Sequence, residues 1–267
     1  MGPFEYFSAF AFVGSIIVLA LVSYLLARLA FRNRIVEKET RELAVSVLFR
    51  IGALHGLVLA LVFAQDLAGV RNVTQAAARE ASLVSDIYHD AERYGHAETH
   101  ALRQSFARYA LVVTEEEWPQ LATKKELSEL AWQHWEEGYV LLLQMTPETS
   151  EQTRLHQFML EDVREISELR ERRENAARGA SRALFSMAAL VGIVLISAAF
   201  FTWPATALNL TLVSMFAAYS GLILFMTVSF SNPFEAPGRA PTSGFERFLT
   251  VEVRELAVDG FAAANSD

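Results

Sequence analysis

Apolar stretches concentrate at both ends of this chain and leave a polar block between them. Residues 6–27, 183–203 and 205–231 carry no charged side chain, and a spanning helix needs roughly 20 apolar residues. Residues 43–65 predict a further span, although Arg50 and His55 interrupt it. The pattern therefore predicts four transmembrane helices, two before and two after the polar block.

The second predicted span continues past the membrane without a proline. From Val73 onward, apolar and aromatic residues recur every three or four positions up to Tyr94, which is the spacing of one helix face. Residues 42–94 are therefore predicted to form one rod that begins as a span and ends as an amphipathic helix. Gly95 is predicted to end it, as a glycine after a helix often does.

The rest of the polar block also reads as helix, because no segment alternates with the two-residue period of a strand. Pro119 predicts the end of a helix that begins at 96. Thr123 and Glu126 fit a capping box that would start the next helix. Pro147 predicts the start of a long helix that reaches residue 182 and feeds the third span.

The predicted fold is an all-α integral membrane protein with a helical domain inserted between the second and third spans. The predicted boundaries are 4–71 for the first two spans, 72–182 for the helical soluble domain, 183–231 for the second pair and 232–267 for a C-terminal tail. Among the Lys and Arg residues near the span ends, five lie in the loop 28–42 and eleven lie on the opposite side. The excess of basic residues places both termini and the soluble domain in the cytoplasm, which predicts a multi-pass protein of a bacterial inner membrane.

Charge and composition exclude several functions. The net charge of −8 argues against nucleic acid as a partner. The absence of cysteine excludes disulfides and thiolate chemistry. No paired catalytic carboxylates, phosphate loop or nucleophile elbow is recognisable, so we expect neither an enzyme nor a cofactor.

One face of the second span carries candidate chemistry. His55, Leu59, Val62 and Asp66 follow each other at steps of four, three and four, which stacks them along a helix. In a symmetric oligomer they would form a titratable ring, two apolar rings and an acidic ring, and such rings gate and select ions. Arg50 lies near the opposite end on a different face and is also a predicted pore residue. The alternative is that Arg50 and Asp66 only reach the two membrane boundaries.

Two further clusters have a functional and a structural interpretation. The basic residues near the third span predict contacts with anionic lipid headgroups, and they are Arg170, Arg172, Arg173 and Arg178. Pairing with glutamates of the same helix is the alternative. His96 and His100, with His89, could chelate a metal, and the run of residues 115–117 could bind a divalent cation, but solvated surface is the favoured interpretation of both and no metal site is predicted.

Five groups of residues occur in this order along the chain: Arg79-Glu80-Ala81, Asp86-Ile87-Tyr88, Tyr109 with Glu117-Trp118-Pro119, Arg170 with Arg173, and Asn232-Pro233-Phe234. This ordered set resembles the bacterial bestrophin-like domain family, from about residue 42 to 250. Glu235-Ala236 departs from the family, which tends to have glycine after Pro-Phe. The resemblance implies similarity to bestrophins, which are pentameric anion channels with a pore lined by the second span.

We therefore expect a homo-oligomeric ion channel, a pentamer by analogy, with membrane lipid and ions as partners. The second hypothesis is a non-conducting scaffold or sensor that binds a partner protein through its helical soluble domain.

Overall fold

A computed structural model describes residues 3–33, 37–95, 99–179 and 182–264. All regular secondary structure in these ranges is helical. The chain divides into two compact units. The first unit comprises residues 1–68 and 180–231, and the second comprises residues 69–179 and 232–267.

The first unit contains the long apolar helices. Its elements are α1 (Pro3–Ala30), the first part of α2 (Lys38–Tyr94), α7 (Arg182–Ala199), a 3₁₀ turn (Phe200–Thr202) and α8 (Ala207–Ser231). α1, α2 and α8 are long and apolar enough to cross a membrane, whereas the apolar part of α7 and its 3₁₀ turn, Ser186–Thr202, is shorter. Three of the four predicted spans are therefore present as helices of spanning length.

Apolar residues at helical spacing form the interior of the first unit. Ile16, Ala20, Ile193 and Ala217 belong to its buried cluster. Gly221 of α8 lets that helix approach α1 closely, because a Cβ at this position would lie 3.1 Å from Cβ of Ile16.

The second unit packs helices around one apolar core. Its elements are the later part of α2, α3 (Thr99–Val112), a π-helical turn (Val113–Glu117), α4 (Trp118–Thr123), α5 (Glu129–Gln144), α6 (Ser150–Arg178), α9 (Ser243–Phe248) and α10 (Val251–Ala264). The stripe predicted from Val73 to Tyr94 is buried in this core. Gly95 follows α2 with a φ of 84°, which confirms the predicted C-terminal glycine.

Three predicted helix boundaries in this unit are wrong. Pro119 does not stop a helix, because it occupies the first turn of α4, where a missing N–H is tolerated. α5 begins after Ser128, whose hydroxyl accepts a hydrogen bond from the Ala131 amide, and not at Thr123. α6 begins after Thr149, which forms a capping box with Gln152.

The predicted run of the long helix into the third span is also wrong. α6 ends at Arg178 and Gly179 is its C-cap residue.

Candidate functional site

The predicted pore stripe of α2 faces the interior of the first unit. His55, Leu59, Val62 and Asp66 are only 7%, 3%, 7% and 7% exposed. The spacing of three and four residues correctly predicted that these four side chains share one helix face.

The same chain covers this stripe. A Cβ on Gly192 of α7 would lie 2.3 Å from Nδ1 of His55, and the Phe216 ring of α8 lies 6.2 Å from the imidazole. Leu59 belongs to the buried cluster of the first unit. This burial counts against a pore lined by these four residues, because side chains that line a water-filled path must face water.

The opposite face of α2 carries a second stripe at the same spacing. Arg50 is exposed, and Leu54, Leu57 and Leu61 are 63%, 65% and 63% exposed. Steps of four, three and four place these residues in one row. Among the described residues, the Arg50 guanidinium has no ion-pair partner. Arg50 is thus the predicted pore residue that another subunit or water can reach.

A groove runs beside the buried stripe, between α2 and α8. It has a volume of about 650 Å³. Gly52, Gly56 and Ala60 of α2 line one side, and Phe216 and Ile223 of α8 line the other. The His55 side chain also lines it, and Nε2 of His55 is buried without a hydrogen-bond partner.

The second unit encloses a buried ionic cluster made of Glu80, Tyr109, Glu117, Arg170 and Arg173, each at most 2% exposed. Arg173 donates from one guanidinium nitrogen to Glu80 and from another to Glu117. Arg170 Nη2 donates to Glu117 Oε2 at 2.6 Å, and the Tyr109 hydroxyl donates to Glu80.

The π-helical turn positions Glu117 for this cluster. The Trp118 amide donates to the carbonyl of Val113, five residues earlier. One wide turn of this kind inserts a residue and changes the direction in which the following side chains point. Glu117, the last residue of the turn, is fully buried, whereas Glu115 and Glu116 are exposed. The Ser128 amide donates to Glu117 Oε2 at 3.0 Å, which ties the start of α5 to the cluster.

Burial and the two arginines shift the pKa of the carboxyl groups of the cluster in opposite directions. Burial alone would raise the pKa of the Glu117 carboxyl, but Arg173 and Arg170 together outweigh burial and lower it. Burial raises the pKa of Glu80 more than Arg173 and the Tyr109 hydroxyl lower it. Burial and the Glu80 carboxylate raise the pKa of Tyr109, so this phenol remains a hydrogen-bond donor.

Aromatic side chains frame the cluster. The Arg173 guanidinium carbon lies 5.4 Å from the Trp118 ring centre, and Trp118 packs edge to face on Phe234 at 5.2 Å. Trp118 Nε1 donates to the Ala240 carbonyl, and the Ala240 amide donates to the Pro233 carbonyl at 2.7 Å. Asn232 Nδ2 donates to the Ala122 carbonyl. The motif around Asn232 therefore fastens its turn to α4.

Tyr88 lies in the same core. Arg103 donates to the Tyr88 hydroxyl at 2.8 Å, and Phe248 packs on the Tyr88 ring at 5.4 Å. The motif residues, although far apart in sequence, all lie in the second unit.

The lipid-binding prediction fails for Arg170 and Arg173, because buried and paired guanidinium groups cannot reach a lipid headgroup. Arg172 and Arg178 are exposed and pair within α6 with Glu168 at 3.7 Å and Glu174 at 2.6 Å. For these two residues the lipid contact remains a prediction.

Among the residues that the structure describes, neither the histidine group nor the acidic run of residues 115–117 has a geometry that supports metal binding. His96 lies outside the described residues. Over the described part of the chain, no group of three or more His, Asp or Glu side chains is placed to hold a metal ion. Glu115 pairs with Arg254 at 3.1 Å, and Glu116 accepts from the Ser128 hydroxyl.

Comparison of the sequence with known proteins identifies one matching family. No curated protein and no solved structure matches the chain. The sequence matches the bestrophin-like domain over residues 14–237, which is most of the chain. This family is not a known enzyme family. The match includes all of α2 and the buried ionic cluster, and the chain belongs to the bestrophin-like domain family.

Proposed function

We propose that this chain is a homo-oligomeric ion channel of the bacterial inner membrane, with a pore lined by the exposed face of α2. The observation that carries the proposal is the row of Arg50, Leu54, Leu57 and Leu61 on that face. A guanidinium inside an apolar span costs about 2.5–3.5 kcal/mol on insertion scales unless it reaches water or a headgroup. A shared aqueous axis between several copies of α2 provides that water.

The three leucines below Arg50 supply the second part of a pore. In a ring of identical subunits each would form an apolar constriction, and such constrictions gate by excluding water. Arg50 would supply a ring of positive charge at one mouth and favour anions there. Family membership supports this proposal, since bestrophins are pentameric anion channels with a pore lined by the second span.

The proposal includes four spans in each subunit. α7 has 18 residues, which corresponds to about 27 Å at 1.5 Å per residue. The 3₁₀ turn that follows α7 adds about 6 Å, and the hydrocarbon core is about 30 Å thick. α7 and its turn can therefore complete a fourth span. The basic residues of the second unit favour a cytoplasmic location for that unit.

Ion flux from proteoliposomes tests the proposal. Wild-type protein should conduct, and Arg50→Glu should shift the ion preference toward cations, because it reverses the charge at the mouth. Asp66→Asn is the matched control: its side chain is 7% exposed, and the ion preference should stay unchanged. A flux that is absent under all conditions, or that responds to Asp66→Asn and not to Arg50→Glu, would contradict the proposal.

A partner-binding scaffold is the second candidate. Exposed apolar side chains on the second unit favour it: Trp132, Leu143 and Phe158 are 40%, 56% and 55% exposed. Purification from native membranes in mild detergent distinguishes the two functions. A scaffold would retain a stoichiometric second protein, whereas the channel would contain only copies of this chain.

A further inference from the structure

A basic cleft opens at one end of the spans of the first unit, away from the pore face of α2. It has a volume of about 370 Å³. Arg28 in the last turn of α1 and Arg32 in the turn after α1 line it together with Arg41 from the first turn of α2. Phe31, Phe201, Thr202 and Pro204 complete the lining. Of the residues that the structure describes, three cations and no carboxylate therefore line this cleft.

Hydrogen bonds fix the walls of the cleft, while the guanidinium groups of Arg32 and Arg41 remain available to bind an anion. Arg28 Nη1 donates to the Trp203 carbonyl at 2.6 Å, and the Tyr24 hydroxyl donates to the same oxygen at 3.1 Å. These bonds fasten α1 to the turn between α7 and α8. Within the described residues, Arg32 and Arg41 have no ion-pair partner, and the nearby Glu42 pairs with Lys38 at 3.8 Å.

A buried hydroxyl adds an independent sign of a missing ligand. Thr202 lines the cleft, is 5% exposed, and its Oγ1 has no hydrogen-bond partner. An unpaired buried hydroxyl costs about 1–3 kcal/mol. An anionic oxygen in the cleft would accept a hydrogen bond from Thr202 and lie among the three guanidinium groups.

The apolar side of the cleft indicates which anion fits. The Phe31 and Phe201 rings pack with their centres 4.8 Å apart, and Phe31 is 48% exposed. α1 continues from there with exposed Leu29 and Leu26. A phosphate carried on an acylated glycerol would place its charge among the arginines and its chains along these side chains. Basic pockets between spanning helices bind headgroups in this way.

We propose that this cleft, formed by Arg28, Arg32, Arg41 and Thr202, binds the phosphate of an anionic phospholipid. The site does not depend on ion conduction, so a protein that fails to conduct could still bind the lipid here.

Native mass spectrometry of the full-length protein in detergent tests the site with phosphatidylglycerol as the probe. Arg32→Gln/Arg41→Gln should bind phosphatidylglycerol about 10–30-fold more weakly than wild type, because each basic residue near a headgroup contributes about 1 kcal/mol. Arg154→Gln/Arg247→Gln is the matched control, since it removes two charges from exposed positions of the second unit. That control should bind phosphatidylglycerol like wild type.

Two further measurements separate the possible ligands. Thr202→Val, which keeps the shape of the side chain, should weaken binding about threefold or more through the lost hydrogen bond. A large excess of inorganic phosphate should leave phosphatidylglycerol bound, because free phosphate lacks the apolar contacts. Equal binding by wild type and Arg32→Gln/Arg41→Gln would overturn the site, as would equal affinity for zwitterionic phosphatidylcholine. Complete displacement by inorganic phosphate would overturn the lipid as its ligand.

Discussion

At the residue scale, two arginines and two glutamates share the interior of the second unit, and their formal charges cancel. Arg173 bridges Glu80 and Glu117, and Arg170 supplies a second cation to Glu117. Buried pairs contribute little net stability, but the loss of one partner leaves a buried charge without compensation. The cluster joins α2, the π-helical turn and α6, so its role is to fix how these elements pack.

Replacement of Glu117 by Gln should therefore destabilise the protein strongly, by about 3–5 kcal/mol, because Arg170 and Arg173 lose the carboxylate they share. Glu165→Gln is the matched control. Glu165 pairs with Arg79 at 2.8 Å, but both side chains are well exposed, and such a pair contributes only about 0.2–1 kcal/mol. Thermal unfolding in detergent, followed by circular dichroism, compares the two. Similar losses for both variants would refute this account of the cluster.

Asp162 gives a prediction about pH. Burial, and then the negative charge of Asp86, raise the pKa of the Asp162 carboxyl to about 6. A carboxyl with a raised folded-state pKa stabilises the fold at low pH, and this contribution is lost as pH rises through the folded-state value. Asp162→Asn should thus raise the melting temperature at about pH 8 and leave it nearly unchanged at about pH 4. After allowance for solvent screening, the effect is about 1 kcal/mol.

Glu252→Gln, at an exposed position of α10, controls for the change in net charge. If it raises the melting temperature at high pH as much as Asp162→Asn does, the local explanation is incorrect.

The spacing of residues along a helix explains which of the residue roles could be predicted from the sequence. Arg170 and Arg173 share the face of Val163, Ile166 and Ala177, all of which are buried. The spacing of three and four that links them was visible in the sequence, and it marks the two arginines as interior residues. The positive charge of the arginines near the third span suggested contacts with lipid headgroups. Charge alone does not indicate which face of the helix a side chain occupies, so this prediction included the two buried arginines. The partners of the two arginines could not be predicted, since Glu80 and Glu117 come from distant elements.

At the element scale, α2 has a buried face and an exposed face from His55 onward. The buried face passes from His55 and Asp66 through Val73 to Tyr94 at steps of three and four. The spacing that links His55, Leu59, Val62 and Asp66 continues into the core face predicted beyond Val73. This continuity was the feature of the sequence that indicated burial of these four residues. The π-helical turn could not be predicted from the sequence, because no glycine or proline between Val113 and Trp118 marks the extra residue.

Close packing of α3 on α5 gives a prediction at this scale. A Cβ on Gly138 would lie 2.7 Å from Cε2 of Phe106, and Phe106 is fully buried. Gly138→Ala should overpack this contact and destabilise the protein by about 1–3 kcal/mol.

Gly69→Ala is the matched control within α2, because a Cβ there meets nothing within 4 Å. It should stabilise the helix by about 0.5–1 kcal/mol. Melting temperatures in detergent would contradict the packing argument if Gly138→Ala were neutral or if both variants were destabilised alike.

At the scale of the whole molecule, the sequence predicted helical structure with long apolar helices and the bestrophin-like family, and the described residues and the family match confirm both. Long uncharged stretches made the spans easy to predict. Assembly could not be predicted in the same way, because the contacts between copies depend on exposed faces such as that of Leu54 and Leu57. The proposed pore exists only in an oligomer.

The mass of the purified complex checks that assembly. By analogy with bestrophins, we expect five copies of the 29.8 kDa chain and no second protein, as measured by native mass spectrometry after release from detergent. A monomer, or an equimolar complex with another protein, would instead support the scaffold function.

Thiol labelling shows whether the exposed face of α2 lines a water-filled path, as we propose. The natural chain has no cysteine, so single cysteines can be introduced at 54, 57 and 61, at the buried positions 55, 59 and 62, and at exposed position 191 of α7. A charged, membrane-impermeant thiol reagent should block ion flux in the first set and leave the other variants unaffected. Block of ion flux by labelling at the buried positions, or equal labelling at 191 and at 57, would contradict a pore lined by this face of α2.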